Sequence, residues 1–325
     1  MASKLRVAVV QMDVKVERVQ ENIEKARRLT ANIKPGSIDL LCFPEMIFSG
    51  YVFPSFAALE PYLESPPEGP TSAFCSELSK RIGCYVVAGY PEKLLPIQTK
   101  ITVSEGGASL VEASEPTPKD TVDLQVAGNS AVLFGPEGQL VGTYRKTNLY
   151  SADLPWAQGG TGFTTFELPP PLKKLAIGIC MDLNPNPASY ETLANGNASD
   201  VVKEPYELAE FCIEQGVDTL VIPCAWLDSE EGTDWDTGNL NYWSHRLQPL
   251  WSSNKNDDGE ARGDGELTGG RKTTVIICNR AGFERGTQFS GTSNVMQLER
   301  GSGRPNVVGV MKKTDDGPQI FTIDL

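Results

Sequence analysis

At 325 residues and 40% hydrophobic content, the chain is long enough to bury a substantial core, as one large domain or two. A formal charge of −13 argues against nucleic-acid binding, and no apolar run approaches the ~20 residues that span a bilayer, so neither nucleic acid nor membrane is an expected partner. Seven cysteines, an odd number without a CxxC pair, and a single histidine read as reduced thiols of a cytoplasmic or nuclear protein, not as a disulfide framework or a zinc site. The opening M-A-S-K-L-R is read as lacking a signal peptide, since the apolar run after it is short.

In chain order, the pattern predicts a strand over 6–12. A helix over 16–33 follows, with apolar residues Val16, Val19, Ile23, Ala26, Leu29 and Ile33 on one face. A strand over 38–43 ends at Pro44, which cannot continue a central ladder. A helix over 71–81, a strand over 84–89 and a hairpin over 130–144 come next; the hairpin turns at G-P-E-G and places Lys146 at a strand end. The apolar strand 175–179 stops on Cys180. A helix over 206–215 precedes a strand over 219–222, a helix over 240–250 precedes a strand over 274–279, and two strands follow near 293–298 and 307–312. The sum is an α/β fold with mixed sheets, treated as a single domain over 1–325. Polar stretches 93–127 and 252–272 read as mobile surface insertions, and 184–202 and 228–238 as a pocket rim.

Chemistry concentrates where strands end. A cysteine at that point aims its sulfur into a cleft, whereas one inside a strand fills the core. The usual partner of a nucleophilic thiol is histidine, but His245 lies on a helical pattern where a surface or core role is ordinary, so a carboxylate is the expected base. Glu45 fits: Phe43, Met46 and Phe48 flank it, and apolar surroundings raise a carboxyl pKa toward the range where it both takes and gives a proton. The charge of Lys146 would favour a thiolate and stabilise an oxyanion. Phe48, Tyr51, Trp156 and Trp226 are candidate pocket walls, and Asp182 or Asp228 a candidate ligand for a substrate ammonium.

Glu45 in F-P-E, Lys146 in Y-R-K-T-N-L and Cys180 in G-I-C-M-D-L-N-P occur in the order that resembles the nitrilase superfamily of carbon–nitrogen hydrolases. R-V-A-V-V-Q-M near the start and I-C-N-R-A-G-F-E with F-S-G-T-S near the end extend the resemblance from about residue 6 to 312. C-M-D-L-N-P and I-P-C-A-W-L are most similar to the branch containing fungal protein N-terminal asparagine/glutamine amidohydrolases. The resemblance implies a four-layer α-β-β-α sandwich and a cofactor-independent, metal-free thiol amidohydrolase. Cys180 would be its nucleophile, Glu45 its base, and Lys146 with the Met181 N–H its oxyanion donors. It also implies subunit pairing into a homodimer. Two positions depart from the pattern: Leu154 replaces the glutamate expected eight residues after the lysine to orient lysine and substrate, with the adjacent Asp153 a candidate to substitute for it in part as a substrate-binding residue, and Asn148 stands where the branch has His. Three readings follow: an amidohydrolase of peptide N-terminal Asn or Gln, an amidase, nitrilase or amide-forming enzyme of a small metabolite, and a non-catalytic binding homologue.

Overall fold

The computed structural model describes residues 4–95, 97–104, 107–111, 121–124, 126–186, 205–252 and 270–325. Twelve strands form two six-stranded sheets. In chain order they are β1 (Lys4–Gln11), β2 (Leu40–Cys42), β3 (Tyr85–Lys93), β4 (Ala127–Phe134), β5 (Leu140–Arg145), β6 (Thr165–Glu167), β7 (Lys174–Ile177), β8 (Thr219–Cys224), β9 (Lys272–Asn279), β10 (Asn294–Glu299), β11 (Asn306–Val310) and β12 (Gly317–Asp324). Helices α1 (Val19–Thr30), α2 (Pro70–Ile82), α3 (Glu207–Gln215) and α4 (Thr237–Arg246) connect them.

The first sheet has the order β12-β1-β2-β3-β4-β5 and the second β11-β10-β9-β8-β7-β6. Both follow one plan: three parallel central strands (Val9↔Cys42↔Val87 in one, Ile177↔Val221↔Ile276 in the other) flanked by antiparallel strands. The amino-acid sequence carries no visible repeat, so this doubling lives in topology alone.

Covering both faces of each sheet explains why the strands read as continuous apolar runs. Val7, Val9, Cys42 and Val87 share a core with Ile177, Val221, Ile276 and Cys278 of the second sheet. The Cys278 sulfur lies 3.2 Å from the Cys42 carbonyl, which fixes the contact between sheets. Intervening residues Ala8, Val10, Leu41 and Phe43 point the other way, onto Ile23 and Ala26 of α1 and Phe74 and Leu78 of α2. Leu208 and Cys212 of α3 and Trp243 of α4 cover the second sheet. This is the expected α-β-β-α sandwich.

Two expectations need correction. Strand β12 was not foreseen; it pairs along the whole of β1, from Lys4↔Asp324 to Gln11↔Gly317. Its signal is weak because only Phe321 and Ile323 are buried while Ile320 is exposed, as an edge strand permits. Within 93–127, the β-branched alternation of Ile97–Ser104 forms a three-stranded antiparallel sheet with Gly107–Val111 and Thr121–Leu124, where a loop was expected. Residues 187–204 and 253–269 of the other polar stretches lie outside the described residues.

One buried acid makes stability pH-dependent. Glu64 accepts bonds from Thr71 N (2.9 Å) and Oγ1 (2.6 Å) at the first turn of α2, yet burial pushes its carboxyl up to about 7. A folded pKa above the ordinary 4.5 means that folding takes up a proton, so stability falls as pH rises from 4.5 to about 7. Glu64→Gln is expected to flatten that fall, whose full size is ~3 kcal/mol. Thermal melts at about pH 5 and about pH 8 measure the slope, and an equal slope in both proteins would count against this account.

Candidate active site

Three chain segments meet at one edge of the sandwich, each just past the end of a strand. After β2, Pro44 offers no amide hydrogen, but its carbonyl still accepts from Gly89 N at 3.1 Å. The chain then turns through Glu45 and Met46, the latter at φ 49°. It passes so close to β3 that a Cβ at Gly89 would lie 2.5 Å from Met46 N and 2.6 Å from the Glu45 Cα, so position 89 requires glycine. After β7, Cys180 opens a single 3-10 turn, Cys180–Leu183, with its own φ at 44°. This sharp strand-to-turn reversal sets the sulfur at the sheet edge. Lys146 follows β5, its backbone N–H held by the Asn129 carbonyl at 2.8 Å.

Their side chains form a closed network. Lys146 Nζ donates to Glu45 Oε1 and to Asp153 Oδ2, each at 2.7 Å. Asn129 Nδ2 donates to the same two carboxylates, at 2.6 Å to Glu45 Oε1 and 3.0 Å to Asp153 Oδ1. Ala225 N–H closes the far side of Glu45, on Oε2, at 2.8 Å, and Tyr150 N–H donates at 2.9 Å to Asp153 Oδ2, the oxygen that also accepts from Lys146. All four polar side chains are 0% exposed. Burying one ammonium with two carboxylates is costly unless hydrogen bonds compensate, and here each carboxylate accepts three, from Lys146, the Asn129 amide and one backbone N–H, while Asn129 Oδ1 is left without a partner among the described residues.

Burial alone would lower the Lys146 pKa, but the charges of Asp153 and Glu45 reverse this and hold it well above the ordinary lysine value. Burial raises the Glu45 carboxyl, partly opposed by Lys146 and reinforced by Asp153; the net direction is upward. Burial pushes the Cys180 thiol well above its ordinary value, as do its hydrogen bond to the Cys224 sulfur and the charge of Glu45, while Lys146 pulls it down. Burial and these neighbours favour the protonated thiol, against the expectation that the Lys146 charge would favour a thiolate.

The remaining sequence-predicted residues divide. Asp153 occupies the position beside Lys146, while Leu154 is 66% exposed, so the carboxylate is present one residue earlier than the family pattern puts it. Asn148 Nδ2 bonds the Asn184 carbonyl at 2.9 Å, tying the segment after β5 to the one after Cys180. Tyr51 and Trp156 are buried in one small cluster with Met46 and Ala225, beside Glu45; Lys146 Nζ lies 5.6 Å from the Tyr51 ring centroid. Trp226 is half-buried against Tyr242 and Trp243, and Met181 is half-buried next to Cys180.

Others are committed elsewhere. Phe48 packs with Phe43 and Phe74 under the helices, with centroids 6.1 and 5.0 Å away, and is core instead of pocket wall. Asp182 is buried with both oxygens taken: Oδ1 by Thr147 N and Asn148 N, Oδ2 by Tyr144 Oη and Ile179 N. It braces the Lys146 segment against the Cys180 turn and has no free oxygen for an ammonium. Asp228 pairs with Lys313 at 2.7 Å, and Lys313 N–H bonds the Asp234 carbonyl, so 228–238 is tied to 312–313. His245 is exposed on α4 with its Nε2 3.4 Å from the Tyr206 hydroxyl, away from the buried network. Asn129, the Ala225 N–H and the Cys224 sulfur were not anticipated; only the N-S start of the hairpin and the I-P-C-A run marked them.

Among the described residues, no cluster of three His, Cys, Asp or Glu side chains is arranged to hold a metal ion, and no helix is long and apolar enough to cross a membrane. A buried thiol beside a carboxylate and an ammonium is an arrangement that can carry acyl transfer from nitrogen to sulfur. The carbon-nitrogen hydrolase family model matches residues 6–224, and the chain belongs to that family. It is 29% identical over 323 residues to the protein N-terminal amidase of Schizosaccharomyces pombe, covering 96% of this chain and 97% of the relative. It is 27% identical to the protein N-terminal amidase of Saccharomyces cerevisiae over 261 residues, which is 73% of this chain and 48% of that longer relative. In fold it is similar to the crystal structure of an N-terminal amidase with an Asn-Glu-Ala peptide, with a TM-score of 0.71 at 18% identity and 99% of both chains covered.

Proposed function

We propose that the protein hydrolyses the side-chain carboxamide of an N-terminal Asn or Gln in peptides or proteins, giving the carboxylate and ammonia through a cysteinyl thioester. The observation that carries the reading is the buried Glu45–Lys146–Asp153–Asn129 network beside Cys180, together with the two fungal relatives named for this activity. In the proposed sequence, Glu45 takes the Cys180 proton as sulfur attacks the amide carbon. Lys146 and the Met181 N–H stabilise the tetrahedral oxyanion, and Glu45 returns the proton to departing ammonia. The C–N bond breaks and a C–S thioester remains. Glu45 then deprotonates water, whose oxygen replaces sulfur, and Cys180 recovers its proton.

Tyr51, Trp156 and Trp226 line the acyl pocket in this reading. Asp153 holds Lys146 in place of the missing glutamate, which supports an active enzyme over a non-catalytic homologue. The seven cysteines are all unpaired thiols, which fits the proposed cytoplasmic or nuclear setting. A homodimer belongs to the proposal as well, and light scattering on the purified protein tests it.

Ammonia release from Asn- and Gln-initiated peptides, the same peptides acetylated at the α-amine, free asparagine and simple amides tests the substrate. Release from the free-amine peptides alone is expected. Release from small amides alone would establish the metabolite-amidase reading instead.

A further inference from the structure

Arg280 and Glu284, in the C-terminal motif N-R-A-G-F-E, build a second buried ion pair. Arg280 Nη1 donates to Glu284 Oε2 at 2.7 Å, and both side chains are buried. Arg280 Nη2 is anchored on the Val14 carbonyl at 3.0 Å, and its guanidinium lies 4.1 Å from the Phe289 ring centroid. The other oxygen of Glu284 faces away from the arginine and accepts the backbone N–H groups of Tyr51 (2.9 Å) and Val52 (2.6 Å). An expensive buried pair thus ends on two amides of one turn.

That turn carries Tyr51, whose ring sits between Phe289, 6.5 Å away, and Lys146 Nζ, 5.6 Å away. Its hydroxyl is buried and has no hydrogen-bond partner among the described residues, although Lys146, Asp153, Glu45 and Cys180 all act on it electrostatically. An unsatisfied buried hydroxyl is destabilising by about 1–3 kcal/mol. One held rigidly at a reactive site, by a dedicated buried clamp, is placed to meet a polar group brought by the substrate.

We infer that the Tyr51 hydroxyl is a specificity-determining contact that hydrogen-bonds the substrate's side-chain carboxamide, and that Glu284, fixed by Arg280, is the positioning residue that sets it there. The inference rests on the amide-hydrolysis reading above. A carboxamide offers both a carbonyl oxygen and an NH2 group, so the hydroxyl has a partner in either orientation. A hydrocarbon side chain of equal size offers none and leaves the hydroxyl unpaired, which is a basis for rejecting it.

The test is a double-mutant cycle of Tyr51→Phe and Glu284→Gln, read as kcat, KM and melting temperature on an Asn-initiated peptide. Calorimetric binding of the same peptide to Cys180→Ala and Cys180→Ala/Tyr51→Phe is the second readout. Tyr51→Phe is expected to lower kcat/KM and weaken peptide binding by about tenfold to a hundredfold with no loss of melting temperature, because an unsatisfied hydroxyl has been removed. Glu284→Gln is expected to lower kcat/KM as well, and to do so much less in the Tyr51→Phe background. Unchanged kinetics and binding in Tyr51→Phe, or fully additive effects in the cycle, would overturn the inference while leaving the hydrolytic reading intact. Failure of the wild-type protein to release ammonia from any amide would instead overturn the reading beneath it.

Discussion

Cys180→Ala is expected to abolish ammonia release, with a loss of roughly 10⁴–10⁶ in kcat, while the protein still folds. The size follows from the proposed route, in which no other described group attacks the amide carbon and water alone has to do so. The fold should survive because the change removes one buried sulfur from a turn that Asp182 braces with four hydrogen bonds. A destabilisation of about 1–2 kcal/mol is the expected scale. Cys180→Ser is expected to be nearly as inactive: a serine hydroxyl is a much weaker acid than a thiol, and Glu45 is too weak a base to compensate. Melting temperature and ammonia release measured on the same samples separate lost chemistry from lost structure.

Lys146→Met has the second large effect, and it falls on both activity and stability. The substitution leaves Glu45 and Asp153 buried together without the ammonium that bonds both at 2.7 Å. Breaking a buried ion network from one side costs about 3–5 kcal/mol. The sign of its pH dependence follows from the remaining charges. Without Lys146 the largest influence opposing the burial that already raises the Glu45 carboxyl is gone, so the folded variant takes up a proton there more readily than the unfolded chain, loses stability as pH rises and recovers it in acid. Activity is expected to fall about 10³-fold or more, since the oxyanion loses its one charged donor. Adding Asp153→Asn removes one of the stranded charges. The double variant is therefore expected to melt higher than Lys146→Met alone and to stay inactive. A double variant less stable than the single one would contradict the charge argument.

Much of this site was legible because its parts lie where local pattern and chemistry coincide. Pro44 announces the end of β2 and delivers Glu45; the Gly/Pro turn of the hairpin delivers Lys146; and the apolar run of β7 stops on Cys180. Asp153 was legible as a neighbour of a gap in the pattern, and the structure shows that it, and not Leu154, turns inward. What stayed hidden depends on pairings remote in sequence. Asn129 reaches Glu45 across 84 positions, Ala225 across 180, and Glu284 reaches Tyr51 across 233. No local period encodes such contacts.

Wrong assignments have a common cause too. Phe48 and Asp182 sit within three residues of Glu45 and Cys180, but adjacency in sequence does not fix direction. Phe48 turns under the helices, and Asp182 turns back to hold three backbone amides and a tyrosine hydroxyl. The fold divides similarly. Strands covered on both faces were plain from composition, whereas the half-exposed β12, with its pairing to β1 more than 300 positions away, was not.

The central claim is that amide nitrogen leaves before water enters, with the acyl group carried on Cys180. Rapid acid quench of the protein mixed with an Asn-initiated peptide, followed by intact-mass and peptide-mapping mass spectrometry, tests it directly. The account predicts a transient adduct of the peptide minus ammonia on Cys180, formed together with a burst of ammonia and absent from Cys180→Ala. Ammonia release without such an adduct, or release that persists in Cys180→Ala, would contradict it.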